Sequence, residues 1–392
     1  MKLLHGSIAT DRHGESSMHK IVVAGAGFAG LMTLKTLRQQ GYKGPMVLLA
    51  PKPELFYYPA TIWVPAGLYQ ERDLTFSLER FLHRHDVEYV AGCVTGLEAT
   101  SHRLYTTVGE MAYERLVIAA AGNTARKVHG LEHVCIPCDG YPAVLSLQRR
   151  LAALQEGTLA FGFSGNPHEP TALRSEPLFE FLFGTDTLLR RQKRRDRFHL
   201  VFFTPCMEAD ERWGSKGPLQ RELAQRGIEC HVGRGLHWFG AAGIQFADGE
   251  IPSDFTVFIP ELVGPSWAKQ SDLPLSEDGF IRADTGCRVL GFEGKVYVAG
   301  DAGHFPTPAW VPRHGHTANH HATTLVRNLL GDMRGEPTQH TFRQELIYIV
   351  DTLEGGLLVF RNHRHSFAWR SPLLHWAKRL FIRTYLREYR TT

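Results

Sequence analysis

A short apolar strand that runs into Gly25-Ala26-Gly27-Phe28-Ala29-Gly30, and then into helical spacing at Leu31, Leu34 and Leu37, limits how this chain can begin to fold. Gly25 permits a tight turn, Gly27 lets backbone approach a pyrophosphate, and Gly30 lets helix and strand pack closely. The helix N-terminus then offers unpaired N–H groups to the anion. The strand is Ile21 to Ala24, so the glycines stand in the strand–turn–helix context that separates a dinucleotide-binding unit from a chance turn. The acid usually found about 20 residues on is absent. The second expected strand, Met46 to Ala50, is followed by Pro51 and Lys52, which leaves ribose recognition to Glu54 or to backbone groups.

A second strand-to-glycine junction lies far downstream. Residues 291–303 read GFEGKVYVAGDAG, a hydrophobic strand from Val296 to Ala299 that ends in Gly300 and Asp301. Flavin enzymes use such a strand, with a helix after it, to hold the ribityl chain and pyrophosphate of FAD. The Asp accepts from ribityl hydroxyls and the helix dipole points toward the flavin. A β-turn at a strand end also suits Gly-Asp. Between the junctions, residues 113–122 (YERLVIAAAG) make a third strand that ends in small residues and Gly122. Together the three strands describe one FAD-type unit interrupted by a long insertion.

The insertion has the pattern of a second α/β unit. Residues 158–164 and 198–204 read as strands, and 176–191 and 216–225 as helices. Where a nicotinamide-binding unit would carry its own glycine loop, this chain has residues 162–170, GFSGNPHEP. Proline removes backbone donors that a pyrophosphate cradle needs, so NADH as electron donor is disfavoured. The expected fold is α/β, with two Rossmann-like dinucleotide-binding domains and an amphipathic C-terminal helical region. The expected boundaries are 18–125 and 251–332 for the two parts of the FAD-binding domain, 126–250 for the degenerate NAD-type domain and 333–392 for the C-terminal region.

At 392 residues, 43% hydrophobic and 21% charged, the chain has room for large cores and is not disordered, collagen-like or coiled coil. It holds no run of about 18 apolar residues, so no spanning helix is expected. A net charge of +4 does not point to nucleic acid, and the basic run 190–197 (RRQKRRDR) reads as a solvated helix terminus. The six cysteines make no secreted disulfide framework, and cytoplasmic residence is the default. Residues 1–20 are too weakly apolar for a signal peptide and read as an extension before the first strand. Cys135-Ile136-Pro137-Cys138 has redox-disulfide spacing, though two buried structural thiols fit it as well. Cys206 follows the 198–204 strand and is a candidate for the interdomain cleft. His316 and His320 share a helix face at metal-pair spacing, but without the Glu of an HExxH motif no metal is expected.

On these stretches the chain resembles the sulfide:quinone oxidoreductases, which are two-dinucleotide-binding-domain FAD flavoproteins. The resemblance runs from Lys20 over most of the chain, through residues 54–68 (ELFYYPATIWVPAGL), 113–125, 180–204, VYVAGDAG, PRHG (312–315) and a basic amphipathic tail. It implies an FAD-dependent oxidoreductase that passes electrons from a small reductant, a sulfur compound, through FAD to a membrane quinone. Gly25, Gly27, Gly30, Gly122, Gly300, Asp301 and Gly315 would hold the cofactor. Arg313, where the family has Lys, would stabilise the anionic reduced flavin. The family's two flavin-proximal cysteines have no counterpart before the 176–191 helix or within 343–360. Cys135 and Cys138 are the thiols left as catalytic candidates. A type II NADH:quinone oxidoreductase and a flavin-binding subunit that acts only with a partner protein are the alternatives, and a homo-oligomer is left open.

Residues 371–390 (SPLLHWAKRLFIRTYLREYR) interleave Leu373, Trp376, Leu380, Phe381, Leu386 and Tyr389 with Lys378, Arg379, Arg383, Arg387 and Arg390. Trp and Tyr suit the headgroup layer, and Lys and Arg reach anionic lipid. The tail is therefore expected to lie as a peripheral anchor on the cytoplasmic side of the membrane. An amphipathic helix docked on its own protein or on another subunit is the other reading.

Overall fold

The computed structural model describes residues 20–206, 217–337 and 339–390. The extension expected over residues 1–20 lies outside the described residues apart from Lys20, and Lys216, expected to open a helix, lies outside them too. Five parallel strands form the first sheet, in the order Val296–Val298, Arg115–Ile118, Ile21–Ala24, Met46–Ala50, Val87–Ala91. The chain grows outward on one side of Ile21–Ala24 and returns to build the other, so the strand order reverses beside it. Ile21–Ala24 and Met46–Ala50 are buried at every residue, the pattern of strands covered on both faces. The helices Phe28–Gln39 and Gly315–Met333 pack against each other, which brings the two ends of the interrupted unit together.

The second sheet is also parallel, in the order Val134–Cys135, Phe255–Ile259, Gly157–Phe163, Phe198–Thr204, Glu229–Val232. Its core is aromatic. Buried Phe179 lies 5.0 Å from Phe202 and 5.9 Å from both Phe163 and Phe183, ring centre to ring centre. Each such ring contributes roughly 1.5–3 kcal/mol of transfer free energy to this core. Helix Glu176–Arg191 and strand Phe198–Thr204 fall where their patterns put them. Phe255–Ile259, which the boundary at 251 assigns to the FAD unit, is hydrogen-bonded into this second sheet, and on that pairing we place the return to the first unit after Ile259.

The helix that carries His316 and His320 runs over Gly315–Met333; between it and the strand Val296–Val298, Gly300–Ala302 is a short helical turn and Gly303–His304 pairs with Ile281–Arg282. The C-terminal region is not helical throughout. Antiparallel strands Leu346–Asp351, Gly356–Arg361 and Ser366–Ser371 precede the helix Leu373–Arg390. Consecutive apolar residues at Ile347, Tyr348 and Ile349 hide the period-two alternation that would have announced this sheet. The basic run 190–197 is wired inward rather than simply solvated. Fully buried Asp186 accepts from Arg190, Arg195 and Arg226 at 2.9, 2.6 and 2.8 Å, and Arg194 donates to the Leu151 and Leu154 carbonyls. Among the described residues no helix is long and apolar enough to cross a membrane.

Candidate functional site

The crevice at the strand-order reversal is built by the glycines of the first motif. Gly25 has φ +119°, and a Cβ there would lie 2.4 Å from the Ala119 carbonyl oxygen. A Cβ on Gly30 would lie 1.9 Å from the Gly25 oxygen, whereas Gly27 has open space above it. Two glycines are thus fixed by packing, and the third leaves backbone free to meet a ligand. The helix that starts at Phe28 has no side-chain N-cap bond and no acid in its first turn, so its N-terminal N–H groups remain suited to an anion. Gly315 opens the second helix against the same motif, and a Cβ on it would press on the Phe28 ring at 3.0 Å. Gly300, at φ +74°, lies between Ala29 and Ala318. Gly122 instead packs on Val263, where Asn123–Thr124 pairs with Leu262–Val263.

Asp301 faces a residue that the sequence patterns did not single out. The Arg174 guanidinium donates to its carboxylate and also reaches the Cys138 thiol, while Tyr58 donates its hydroxyl to the Cys138 carbonyl at 3.2 Å. Cys138 therefore sits beside the Gly-Asp turn. Cys135 does not: its Sγ donates to the Ala143 carbonyl at 3.2 Å. Both are free thiols. Burial pushes Cys135 up to about 12; it also raises Cys138, with Arg174 pulling the other way. Thiols held protonated are weak nucleophiles. Cys206 lies against the broken loop, so close that a Cβ on Gly165 would meet its Sγ at 2.5 Å.

The broken loop occupies the site with its own side chains. Asn166 accepts from the N–H groups of His168 and Glu169 at 3.0 and 3.1 Å, which turns Glu169 inward to meet Arg313 at 3.2 Å. Arg313 also donates to the carbonyls of Asp301 and Gly303 at 2.8 and 2.6 Å, and lies over the Phe280 ring at 4.2 Å. The guanidinium expected beside a flavin also donates to the Thr171 hydroxyl at 3.2 Å, and is thus held by five protein contacts. His321 is buried between Phe305 and Phe342, which drops it to about 3, and its neutral Nδ1 accepts from the Gly300 N–H at 3.1 Å. Thr317, in the same lining as Gly300, Asp301, Arg313 and His321, has a buried hydroxyl without a hydrogen-bond partner among the described residues. An open Gly27, an uncapped helix start and this hydroxyl fit a bound dinucleotide.

A chain of buried polar groups leads from this lining to the C-terminal helix. His314 lies 3.5 Å from Glu176, with its ring centre 5.1 Å from that of Tyr348. The Tyr348 hydroxyl donates to Glu180 at 2.5 Å, the Asp351 N–H donates to Glu180 at 2.8 Å, and Lys378 donates to Glu180 and to the Ile349 carbonyl. Burial pushes Glu180 up to about 7 against the pull of Lys378 and Tyr348. Asp351 in turn holds Trp63 at 3.2 Å and His375 at 2.8 Å. Lys378, expected to reach lipid, is therefore an inward-facing partner of Glu180.

The C-terminal helix has two apolar faces. Leu374, Ile382 and Leu386 are buried, and Tyr385 packs on Phe28 and Tyr57 at 5.8 and 5.7 Å. Leu373, Trp376, Leu380 and Phe381 are 71%, 64%, 66% and 65% exposed. The helix docks on its own protein and presents a second apolar face to solvent.

Two parallel sheets of this order, with a glycine cradle at the reversal and a Gly-Asp turn opposite it, define a two-dinucleotide-binding-domain flavoprotein, an FAD-dependent oxidoreductase. No protein-family model matches the chain. It is 20% identical over 367 residues to the sulfide-quinone reductase of Aquifex aeolicus, a span of 87% of this chain and 83% of that one. The X-ray structure of the sulfide:quinone oxidoreductase from that bacterium matches with a TM-score of 0.86 at 19% identity, over 95% of this chain and 91% of the other. A type II NADH:quinone oxidoreductase of Staphylococcus epidermidis is 30% identical over 104 residues, 26% of this chain and 25% of that one. The chain is a divergent homologue of the sulfide-quinone reductases.

Proposed function

We propose that this protein is a peripheral flavoenzyme that oxidises a small sulfur-containing reductant and reduces a quinone drawn from the cytoplasmic face of a membrane. The observation that carries this reading is the two-faced C-terminal helix. Its outer face offers Leu373, Trp376, Leu380 and Phe381 to a bilayer, while its inner face supplies Lys378 to the buried chain that leads to His314. Quinone reduction takes up protons as well as electrons, and Glu180, Tyr348 and Lys378 are placed to hold and hand on protons along that line. Gly25, Gly27, Gly30 and the Phe28 helix start would hold the pyrophosphate of FAD, with Asp301 toward its ribityl chain. When bound, FAD supplies the exchange of electrons between donor and quinone. Relationship to the sulfide-quinone reductases supports a sulfur donor, with Cys138 as the thiol nearest the Gly-Asp turn. Nicotinamide is disfavoured because Asn166 and Glu169 fill the loop that would hold it. The raised thiols favour one second reading, a flavin-binding subunit whose donor is a partner protein.

The test is anaerobic flavin absorbance of the purified protein with sulfide and with NADH in separate cuvettes, followed by a quinone. Bleaching by sulfide and recovery on adding quinone is the expected result. Bleaching by NADH alone overturns the donor assignment, and no bleaching by either selects the partner-dependent subunit.

A further inference from the structure

On the Gly315–Met333 helix, His316 and His320 stand four residues apart and share one face, and Glu345, next to the strand Leu346–Asp351, reaches the same point. The His316 and His320 Nε2 atoms are 3.1 Å apart, and they lie 3.0 and 3.2 Å from one Glu345 carboxylate oxygen. The two rings cross at 83°, edge to face, so neither stacks on the other. Hydrogen bonding alone serves this triangle poorly. If both Nε2 atoms carry protons, two N–H groups face each other; if one does not, its lone pair faces the carboxylate. A cation removes the conflict, because two neutral imidazoles and a carboxylate then all direct lone pairs at it.

We infer that His316, His320 and Glu345 form a binding site for a divalent transition metal of the zinc class. The three atoms make a nearly equilateral triangle, and an ion about 1 Å out of its plane meets all three at about 2.0–2.1 Å, the zinc distance for imidazole and carboxylate. Imidazole nitrogens select zinc, cobalt or nickel over magnesium and calcium, which take oxygen. All three side chains are partly exposed, which leaves a coordination position open to water. Arg343 approaches His320 and limits the negative charge that the site can gather, in keeping with a single carboxylate ligand. The ion joins the helix that starts at the flavin-side lining to the C-terminal sheet, a link independent of which donor or quinone the enzyme uses.

The full-length protein, stripped with a chelator and dialysed, is titrated with zinc chloride against a chromophoric competitor. The expected result is a single equivalent bound, with at least about tenfold weaker binding in His320→Ala and in Glu345→Gln, and no competition from magnesium. Zinc is also expected to raise the melting temperature of the wild type but not of Glu345→Gln, a near-isosteric change at a partly exposed position that keeps the test valid if His320→Ala folds poorly. Substoichiometric zinc, or equal affinity in wild type and Glu345→Gln, overturns the site.

Discussion

Glu169 and Arg313 meet at 3.2 Å with only 3% and 6% of their side chains exposed, and the contact joins the broken loop of the second unit to the residues that open the Gly315 helix. Arg313's further acceptors are two backbone carbonyls and the Thr171 hydroxyl, all neutral, so Glu169 is the carboxylate in direct contact that makes its burial tolerable, with Asp301 a second counter-charge. Glu169→Gln removes the larger of its two counter-charges, leaving Asp301, and is expected to destabilise the protein by about 3 kcal/mol. Burial raises the Glu169 carboxyl, but Arg313, Thr171 and His304 outweigh it and hold the group below its usual 4.5. A depressed folded value gives stability that is present above the unfolded value and is lost as pH falls through the folded one. The gap in melting temperature between wild type and Glu169→Gln should stay constant above about pH 6 and narrow below about pH 4. An equal gap at low pH would show that the ionised carboxylate contributes nothing.

Glu180 titrates in the opposite sense. Burial pushes it up to about 7 from 4.5, so the folded state binds a proton that the unfolded state has released in between. Stability from this group is fully present below the unfolded value and is lost as pH rises through the folded one. Wild-type melting temperature is expected to decline between about pH 5 and pH 8 more steeply than that of Glu180→Gln. The same substitution should remove a titration near 7 from the pH profile of quinone reduction and leave flavin reduction by the donor unchanged in its pH dependence. Parallel profiles for the two proteins would take Glu180 out of the proton path.

Much of the frame was legible because it depends on local pattern. The strand–glycine–helix run at Gly25 and the strand into Gly300-Asp301 each announce themselves within a dozen residues, and both sit at the crevice. The loop with Pro167 and Pro170 was also readable as a damaged cradle. What fills that loop was not, because Glu169 and Arg174 acquire meaning only through Arg313 and Asp301, partners more than a hundred residues away. Glu169 and Arg174, charged residues beside two prolines, were the available signal. Spacing likewise pairs Cys135 with Cys138, yet the chain turns between them and leaves one thiol on Ala143 and the other on Arg174. The tail's apolar residues formed one set in sequence; docking divides them into two faces.

The two cysteines should separate in experiment. Cys138→Ser is expected to slow sulfide-dependent flavin bleaching by about tenfold or more, the scale of losing a positioned reactive group. Cys135→Ser should change it by less than about twofold, since that thiol sits away from the Gly-Asp turn. Alkylation by iodoacetamide in the folded state should be slow at both, because burial holds the thiols protonated. Unimpaired bleaching in Cys138→Ser would remove thiol chemistry from the donor half-reaction.

The outer face of the C-terminal helix yields the last prediction. Leu373, Trp376, Leu380 and Phe381 leave about two thirds of their surface to solvent, so replacing them should cost folding little. On a bilayer each would bury apolar surface worth roughly 1.5–3 kcal/mol at full insertion, and exposed Arg383 would add about 1 kcal/mol on anionic lipid. Trp376→Ser combined with Phe381→Ser is expected to weaken co-sedimentation with anionic vesicles by at least about tenfold, with the melting temperature within a few degrees of wild type. Arg383→Glu should weaken binding to anionic vesicles in a salt-dependent way and leave binding to neutral vesicles alone. If the double substitution leaves vesicle binding intact, the outward face is not the membrane contact. Loss of binding with retained reduction of a short-chain, water-soluble quinone would place the defect at the bilayer and not at the flavin, because Tyr385, Lys378 and Ile382 keep the inner face docked.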